Sequence, residues 1–353
     1  MAHDALTMEP ELRRRVGGWF VAWTVLLFIT VVIGGITRLT ESGLSITEWK
    51  PVSGVLPPIG EAAWQEEFTK YQQIPQYQHL NAGMTLPEFK RIFWVEWIHR
   101  LWARLVGVAI AIPALVLLIR GGLRRVIRNR IVWLLALMAV QGAMGWYMVA
   151  SGLAERTSVS QYRLAAHLSV ALVLIGLAVW TAADLLTPPR PAGKPPRTSG
   201  LARLTAVMVG LVGLTAVAGA FVAGLDAGKL YNTFPLMGGK VVPAGYGAMS
   251  PWYRNLFENL IAVQFNHRLL GVAVTLLGVI LWWRTREDDT AIGTWGRAVG
   301  LMSLVQIGLG IVTLLLLVPI SMASMHQAGA VVLLCFSLLL LHALRRRRMS
   351  SDG

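Results

Sequence analysis

Eight stretches of this chain are apolar for about twenty residues, the length a helix needs to cross the hydrocarbon core of a bilayer. They fall at 17–37, 98–119, 131–150, 163–184, 202–224, 261–283, 297–318 and 321–344. Backbone in lipid must satisfy its own hydrogen bonds, so eight such runs point to a bundle of spanning helices. Composition agrees: 55% of the 353 residues are hydrophobic and 14% are charged, too apolar for an ordinary soluble domain. The expected fold is an all-α membrane protein with eight transmembrane helices. The first run is too long for a signal-peptide core, and the "GGITRLT" after it is no small-residue cleavage site, so it reads as a retained span.

The positions of the charges explain the net charge of +14 without nucleic acid. Arg13, Arg14 and Arg15 precede the first span. Arg120, Arg124, Arg125, Arg128 and Arg130 lie between the second and third. Arg190, Lys194 and Arg197 follow the fourth, Arg284 and Arg286 the sixth, and Arg345 to Arg348 close the chain. Every second loop is basic, as cytoplasmic loops are, which places both termini in the cytoplasm; the expected location is the cell inner membrane. No nucleic-acid partner is implied. The single cysteine, Cys335, lies inside the last span, which excludes an intramolecular disulfide and a cysteine-based metal site.

The chain also repeats itself. "VEWIHRL" (95–101) returns as "VQFNHRL" (263–269), with His99 and His267 separated by 168 residues, close to half the chain. Val140, Gln141 and Gly145 match Val305, Gln306 and Gly310. "LAAHLSVALVL" (164–174) aligns with "ASMHQAGAVVL" (323–333), pairing His167 with His326, and 34–45 loosely matches 218–229. Each copy holds four spans, an even number, so both enter the membrane in the same sense and form a parallel repeat. The expected arrangement is two four-helix bundles: an amino-terminal unit (1–184), a Pro-rich cytoplasmic linker (185–200) and a carboxy-terminal unit (201–353). Two long outer loops cap them. Residues 38–90 carry turn residues and then two short amphipathic helices, in "AAWQEEFTKYQQIPQY" and in "LPEFKRIF"; residues 225–260 are rich in Gly and Pro.

His99, His167, His267 and His326 each stand near the start of an even-numbered span, at one depth below the outer surface. An ionisable residue inside a span is a functional candidate by default, although a single one often only bonds a neighbouring helix. Four at matched depth, two per repeat, suit opposed imidazoles across a bundle core, the arrangement that ligates heme iron on both faces. Zinc fits less well, because the cysteine or carboxylate neighbours that would complete a four-ligand site are missing. His3, His79 and His342 lie elsewhere and are excluded as ligands.

Glu96 stands one helical turn before His99, and Gln264 takes its place before His267. A carboxylate can carry a proton or stabilise cationic character, whereas both residues could orient a ligand by hydrogen bonding. The exchange favours chemistry in the amino-terminal unit and a standing cofactor in the other. Arg100 and Arg268 could each pair with a heme propionate or anchor a helix.

Four of these segments, "GGITRLTESGLSITEWKPVSGVLPP", "EWIHRLWARLVG", "NTFPLMGGK" and "FNHRLLG", resemble the heme A synthase family, and the likeness covers about residues 17–344. The first loop lacks the cysteine pair of some bacterial members, so the chain resembles the class shared by proteobacteria and mitochondria, and a thiol step there is excluded. The resemblance implies oxidation of the carbon-8 methyl of heme O to a formyl group through successive hydroxylations. It implies that His99 and His167 hold heme O beside a catalytic Glu96, and that His267 and His326 ligate the iron of a permanent heme b. It further implies supply by a membrane enzyme that produces heme O and use in cytochrome oxidase assembly, with a homo-oligomer left open. Two other classes compete. A di-heme b-type electron-transfer protein accounts for four histidines but not for the Glu96/Gln264 exchange or the long loops. A transporter with parallel repeats calls for broken helices near the midplane, of which Pro113 and some glycines at span ends are the only sign.

Overall fold

In the computed structural model, residues 8–50, 52–155, 157–187 and 199–349 are described. The described residues are almost wholly helical, and eight helices are long and apolar enough to cross a membrane. In chain order the helices are α1 (Pro10–Leu39), α2 (Glu61–Gln72), α3 (Pro75–His79), α4 (Leu86–Arg120), α5 (Arg125–Glu155), α6 (Gln161–Leu186), α7 (Ser199–Gly224), α8 (Leu260–Thr285), α9 (Ala291–Leu315) and α10 (Ile320–Met349). All but α2 and α3 are spans. The linker, apart from its ends, and both chain termini lie outside the described residues.

Each sequence-predicted span is present. The largest difference lies in α4. The amphipathic "LPEFKRIF", expected as a separate short helix, is instead the first part of the second span. The cause is local. Thr85 and Glu88 form a capping box, with the Thr85 N–H donating to Glu88 Oε2 at 2.8 Å, and Pro87 suits the first turn. Nothing after Glu88 stops the helix, and it runs on past Pro113 to Arg120. The other expected loop helix is present as α2 and α3. At the far end, α9 stops at Leu315. Leu317 and Val318 both adopt φ of 62°, and Pro319 follows. A β-branched residue in the left-handed region is an outlier, and Val318 N–H closes the turn on the Thr313 carbonyl at 2.8 Å.

Helices α7, α8, α9 and α10 pack into a closed ring, each against its neighbours. The amino-terminal spans make a looser ring: α1 packs along α6, α6 along α5, and α4 touches α5 only lightly. One apolar core joins the two sets and includes Phe20 and Trp23 of α1, Leu174 and Ile175 of α6, and Leu333 and Leu340 of α10. Polar ties cross the same boundary at three levels. Arg38 donates to the Ala223 carbonyl at 2.5 Å and pairs with Asp226 at 3.0 Å. Gln327 Nε2 donates to the Val31 carbonyl at 2.8 Å, over Gly35, where a Cβ would sit 2.0 Å from the Gln327 oxygen. His342 bonds Asp184 at 2.8 Å, and Arg130 pairs with the same carboxylate at 2.7 Å.

The first outer loop builds a small core of its own. Leu44, Trp64, Phe68, Tyr71, Ile74, Phe89 and Phe93 bury one another between α2, α3 and the start of α4. The second outer loop is held by side-chain amides instead: Asn259 caps α8 and bonds the Gly245 carbonyl, while Asn255 bonds Met249 on both sides of its backbone.

Candidate functional site

The sequence places one candidate ligand in each of α4 (His99), α6 (His167), α8 (His267) and α10 (His326), and the structure sets a glycine of an odd-numbered span against every one. A Cβ added at Gly34 of α1 would lie 3.3 Å from His99 Nε2, and one at Gly145 of α5 would lie 3.5 Å from His167 Cε1. The corresponding distances are 3.0 Å from Gly219 of α7 to His267 Cε1, and 2.8 Å from Gly310 of α9 to His326 Cε1. An added Cβ would collide with the ring at Gly310, press on it at Gly219 and Gly34, and make ordinary contact at Gly145. All four rings are part-buried and none is completely packed.

The carboxy-terminal pair is brought together. The rings of His267 and His326 are 6.2 Å apart between centroids and perpendicular, at 89°. Two imidazoles bound on opposite sides of one metal, each nitrogen about 2 Å from it, have ring centres roughly 6 Å apart. His267 donates from Nδ1 to the Thr215 carbonyl at 3.1 Å, which leaves Nε2 as the nitrogen with a free lone pair. His326 is contacted at Nδ1 by Gln306 at 3.2 Å. The donor set and the 6.2 Å spacing fit a heme iron held by two histidines. In the amino-terminal pair, Gln141 bonds His167 Nε2 at 3.1 Å, and His167 Nδ1 is buried without a partner. The two glutamines matched each other in the sequence, yet sequence reasoning gave them no role. Their repetition four residues before a glycine was the available signal.

Glu96 and Gln264 are equally buried, each 2% exposed, and each reaches the loop that follows the preceding odd-numbered span. Glu96 Oε2 accepts from Ser45 Oγ and from the Ile46 N–H, both at 2.8 Å. Its Oε1 accepts from Arg100 Nη2 at 2.6 Å and Nε at 3.0 Å. Arg100 then donates to the carbonyls of Ile46 at 2.8 Å and Glu48 at 3.2 Å. In the second copy Gln264 Nε2 donates to the Tyr231 carbonyl at 3.1 Å, while Arg268 donates to those of Tyr231 and Thr233, both at 2.6 Å. Ile46 and Glu48 stand seven and nine residues beyond Leu39, and Tyr231 and Thr233 stand seven and nine beyond Gly224. The repeat is thus preserved down to individual carbonyls. Both arginines tie their helix to the preceding outer loop through these carbonyls. A cleft of ≈ 320 Å³ opens above Arg100, lined also by Glu48, Lys50, Phe93, Trp97 and Arg104.

His79 is exposed at the end of α3, His342 bonds Asp184, and His3 lies outside the described residues. The described residues contain no cluster of three or more His, Cys, Asp and Glu side chains able to hold a metal ion.

Comparison with known proteins adds relatives across nearly the whole chain. The family described as "Cytochrome oxidase assembly protein" matches residues 17–338. A protein of Parvibaculum lavamentivorans named "Heme A synthase" is 46% identical over 93% of this chain and 94% of its own length. Proteins of the same name from Nitrosospira multiformis and Rhizobium meliloti are 43% and 46% identical. They cover 95% and 96% of this chain, and 95% of their own length in each case.

Proposed function

Because this chain belongs to the cytochrome oxidase assembly protein family, we propose that it acts as its relatives are named to act, as a heme A synthase. It is then a membrane oxidoreductase of heme biosynthesis whose substrate is heme O and whose product serves cytochrome oxidase assembly. The reaction converts the carbon-8 methyl to a formyl group through successive hydroxylations, with an electron acceptor outside the chain. The observation that carries this reading is the set of four histidines, each standing against a glycine in its own repeat.

The two units divide the work. His267 and His326 hold heme b in the carboxy-terminal unit (201–353), supported by their 6.2 Å separation. When bound there, heme b supplies one-electron transfer. His99 and His167 hold heme O in the amino-terminal unit (1–184), beneath the loop 38–90. The linker 185–200 and both termini lie in the cytoplasm, and the protein sits in the cell inner membrane. Delivery by the membrane enzyme that makes heme O is consistent with a substrate this apolar.

Glu96 is the catalytic carboxylate of this reading. All four of its bonds come from donors, one of them a guanidinium. That setting suits a fixed anion that stabilises developing positive charge beside His99. Arg100 and Arg268 pair with heme propionates by sharing guanidinium protons now given to loop carbonyls; Arg268 keeps a buried Nε–H without a partner.

Glu96→Gln tests the assignment. The amide keeps the size and an acceptor for Ser45 and Ile46, so heme b content is expected to survive. Conversion is expected to stall, with heme O or its hydroxylated intermediate accumulating on extraction and chromatography. A normal yield of heme A from this variant would reduce Glu96 to a clamp for the first loop.

A further inference from the structure

The first outer loop reaches further down its helix than the ties at Glu96 and Arg100 require. Arg104 Nη2 donates to the Lys50 carbonyl at 2.9 Å, and a Cβ added at Gly54 would lie 3.1 Å from the same nitrogen. Arg104 stands six residues inside the apolar run 98–119, roughly 9 Å below its outer end at the rise of a helix. The internal repeat gives a similar depth independently. At the offset that pairs His99 with His267, Arg104 pairs with Val272, near the middle of α8 (Leu260–Thr285). The loop therefore descends along α4 to a level that is mid-span in the other copy.

At that level the chain reads "VSGVLPPI" (52–59). Val52, Leu56 and Ile59 are 82%, 72% and 79% exposed. The polar side chains nearby turn towards protein. Lys50 pairs with Glu48 and Glu67, and Ser53 lines the cleft above Arg100 together with Trp97 and Arg104. On α4 an apolar stripe starts beside Arg104, with Leu105, Val108 and Ile112 each more than half exposed. Such a surface is unfavourable in water, while a segment near hydrocarbon must satisfy its own backbone donors. This one largely does. Pro57 and Pro58 carry no N–H, and the N–H groups of Gly54, Val55 and Leu56 are given to the carbonyls of Lys50, Val52 and Ser53.

We propose that residues 52–59 are a membrane-docking element whose partner is the lipid of the outer leaflet. Val52, Leu56 and Ile59 enter the boundary between headgroups and acyl chains, the depth at which interfacial apolar segments lie. Trp49, exposed and with the Arg100 guanidinium 5.9 Å from its ring, stands at the headgroup level, where indole rings collect. The first loop is then held from two sides, by Glu96 and Arg100 from within and by lipid from without. The proposal is independent of which heme each half holds.

Spin-label accessibility in the full-length chain, reconstituted in phosphatidylcholine nanodiscs, tests it. Cys335→Ala removes the single cysteine, and Cys335→Val takes its place if that chain fails to accumulate. Nitroxides are attached singly at Val52→Cys, Leu56→Cys and Ile59→Cys. Gln65→Cys, exposed on α2, is the water reference, and Ile112→Cys on α4 is the lipid reference. Power saturation reads collisions with oxygen, which concentrates among acyl chains, and with a water-soluble nickel chelate. The labels at 56 and 59 are expected to show an oxygen-to-nickel collision ratio several-fold above that at 65 and approaching that at 112. A ratio equal to that at 65 places the segment in water and overturns the proposal. Shielding from both reagents means that protein, a second copy or another partner, covers the segment, and overturns it as well.

Discussion

In the amino-terminal half, Glu96 and Arg100 grip the first outer loop at Ser45, Ile46 and Glu48; in the carboxy-terminal half, Gln264 and Arg268 grip the second at Tyr231 and Thr233. The arginines do the same thing in both copies, donating to carbonyls at matched positions. The residue before each differs because the loops differ. The first presents an O–H and an N–H, which a carboxylate accepts; the second presents a carbonyl, to which only the amide can donate. The Glu/Gln exchange therefore has a structural cause as well as a chemical use, and experiments on Glu96 must separate the two.

Swapping the residues breaks the comparison most severely. Gln264→Glu sets a buried carboxylate against the Tyr231 carbonyl, and the expected loss of stability is about 3 kcal/mol, partly offset by Arg268. Glu96→Gln retains an acceptor for Ser45 and Ile46, and about 1–2 kcal/mol is expected. Thermal unfolding of the two variants in one detergent checks the order. Equal losses would mean that loop polarity does not decide which residue stands there.

The glycines sharpen a second contrast. An added Cβ comes to 2.8 and 3.0 Å of the rings in the carboxy-terminal pair but only to 3.3 and 3.5 Å in the amino-terminal pair. A resident group tolerates a tight seat, and an exchanging one needs slack. Gly310→Ala is expected to cost about 1–2 kcal/mol through overpacking and to lower the heme b that co-purifies. Gly145→Ala is expected to change neither heme b content nor stability measurably. Heme b content per purified chain is the readout, and equal depletion in both variants would erase the contrast.

Much of this was legible in the chain. Eight apolar runs marked the spans, and the internal repeat marked the four histidines, His99 and His267 through the two His-Arg-Leu copies and His167 and His326 through the match of 164–174 with 323–333. The join of "LPEFKRIF" to the second span was missed, although Thr85, Pro87 and Glu88 carried its start signal. An amphipathic stretch next to an apolar one reads as two elements unless a stop is required between them. The partners of Glu96 were not legible, because Ser45 and Ile46 lie about fifty residues away and only packing brings them together. Gln141 and Gln306 were visible as a match, but a match does not say which imidazole nitrogen is touched. His342 was set apart from the other four, and its bond to Asp184, which joins helices distant in sequence, was not legible.

The smallest effect concerns the Glu48, Lys50 and Lys70 cluster on the charged surface of the first loop. Lys50 and Lys70 hold the Glu48 carboxyl below its ordinary value of 4.5 by hydrogen bonding to it. A depressed carboxylate stabilises the fold above its unfolded pKa, and that contribution is lost as the pH falls through the folded value. Lys70→Met is therefore expected to cost less than about 1 kcal/mol near neutrality, as exposed pairs do, and nothing further once Glu48 is protonated. Limited proteolysis of the 46–72 region across that pH range measures it.

The division of labour between the halves is tested most directly by the heme content of four single variants. Each of His99→Ala, His167→Ala, His267→Ala and His326→Ala is purified and its pigments are extracted and separated by chromatography. The first two are expected to retain heme b and to form no heme A. The last two are expected to lose heme b from the purified chain. Full heme b retention in His267→Ala and His326→Ala, or loss of heme b in His99→Ala and His167→Ala, would contradict the account.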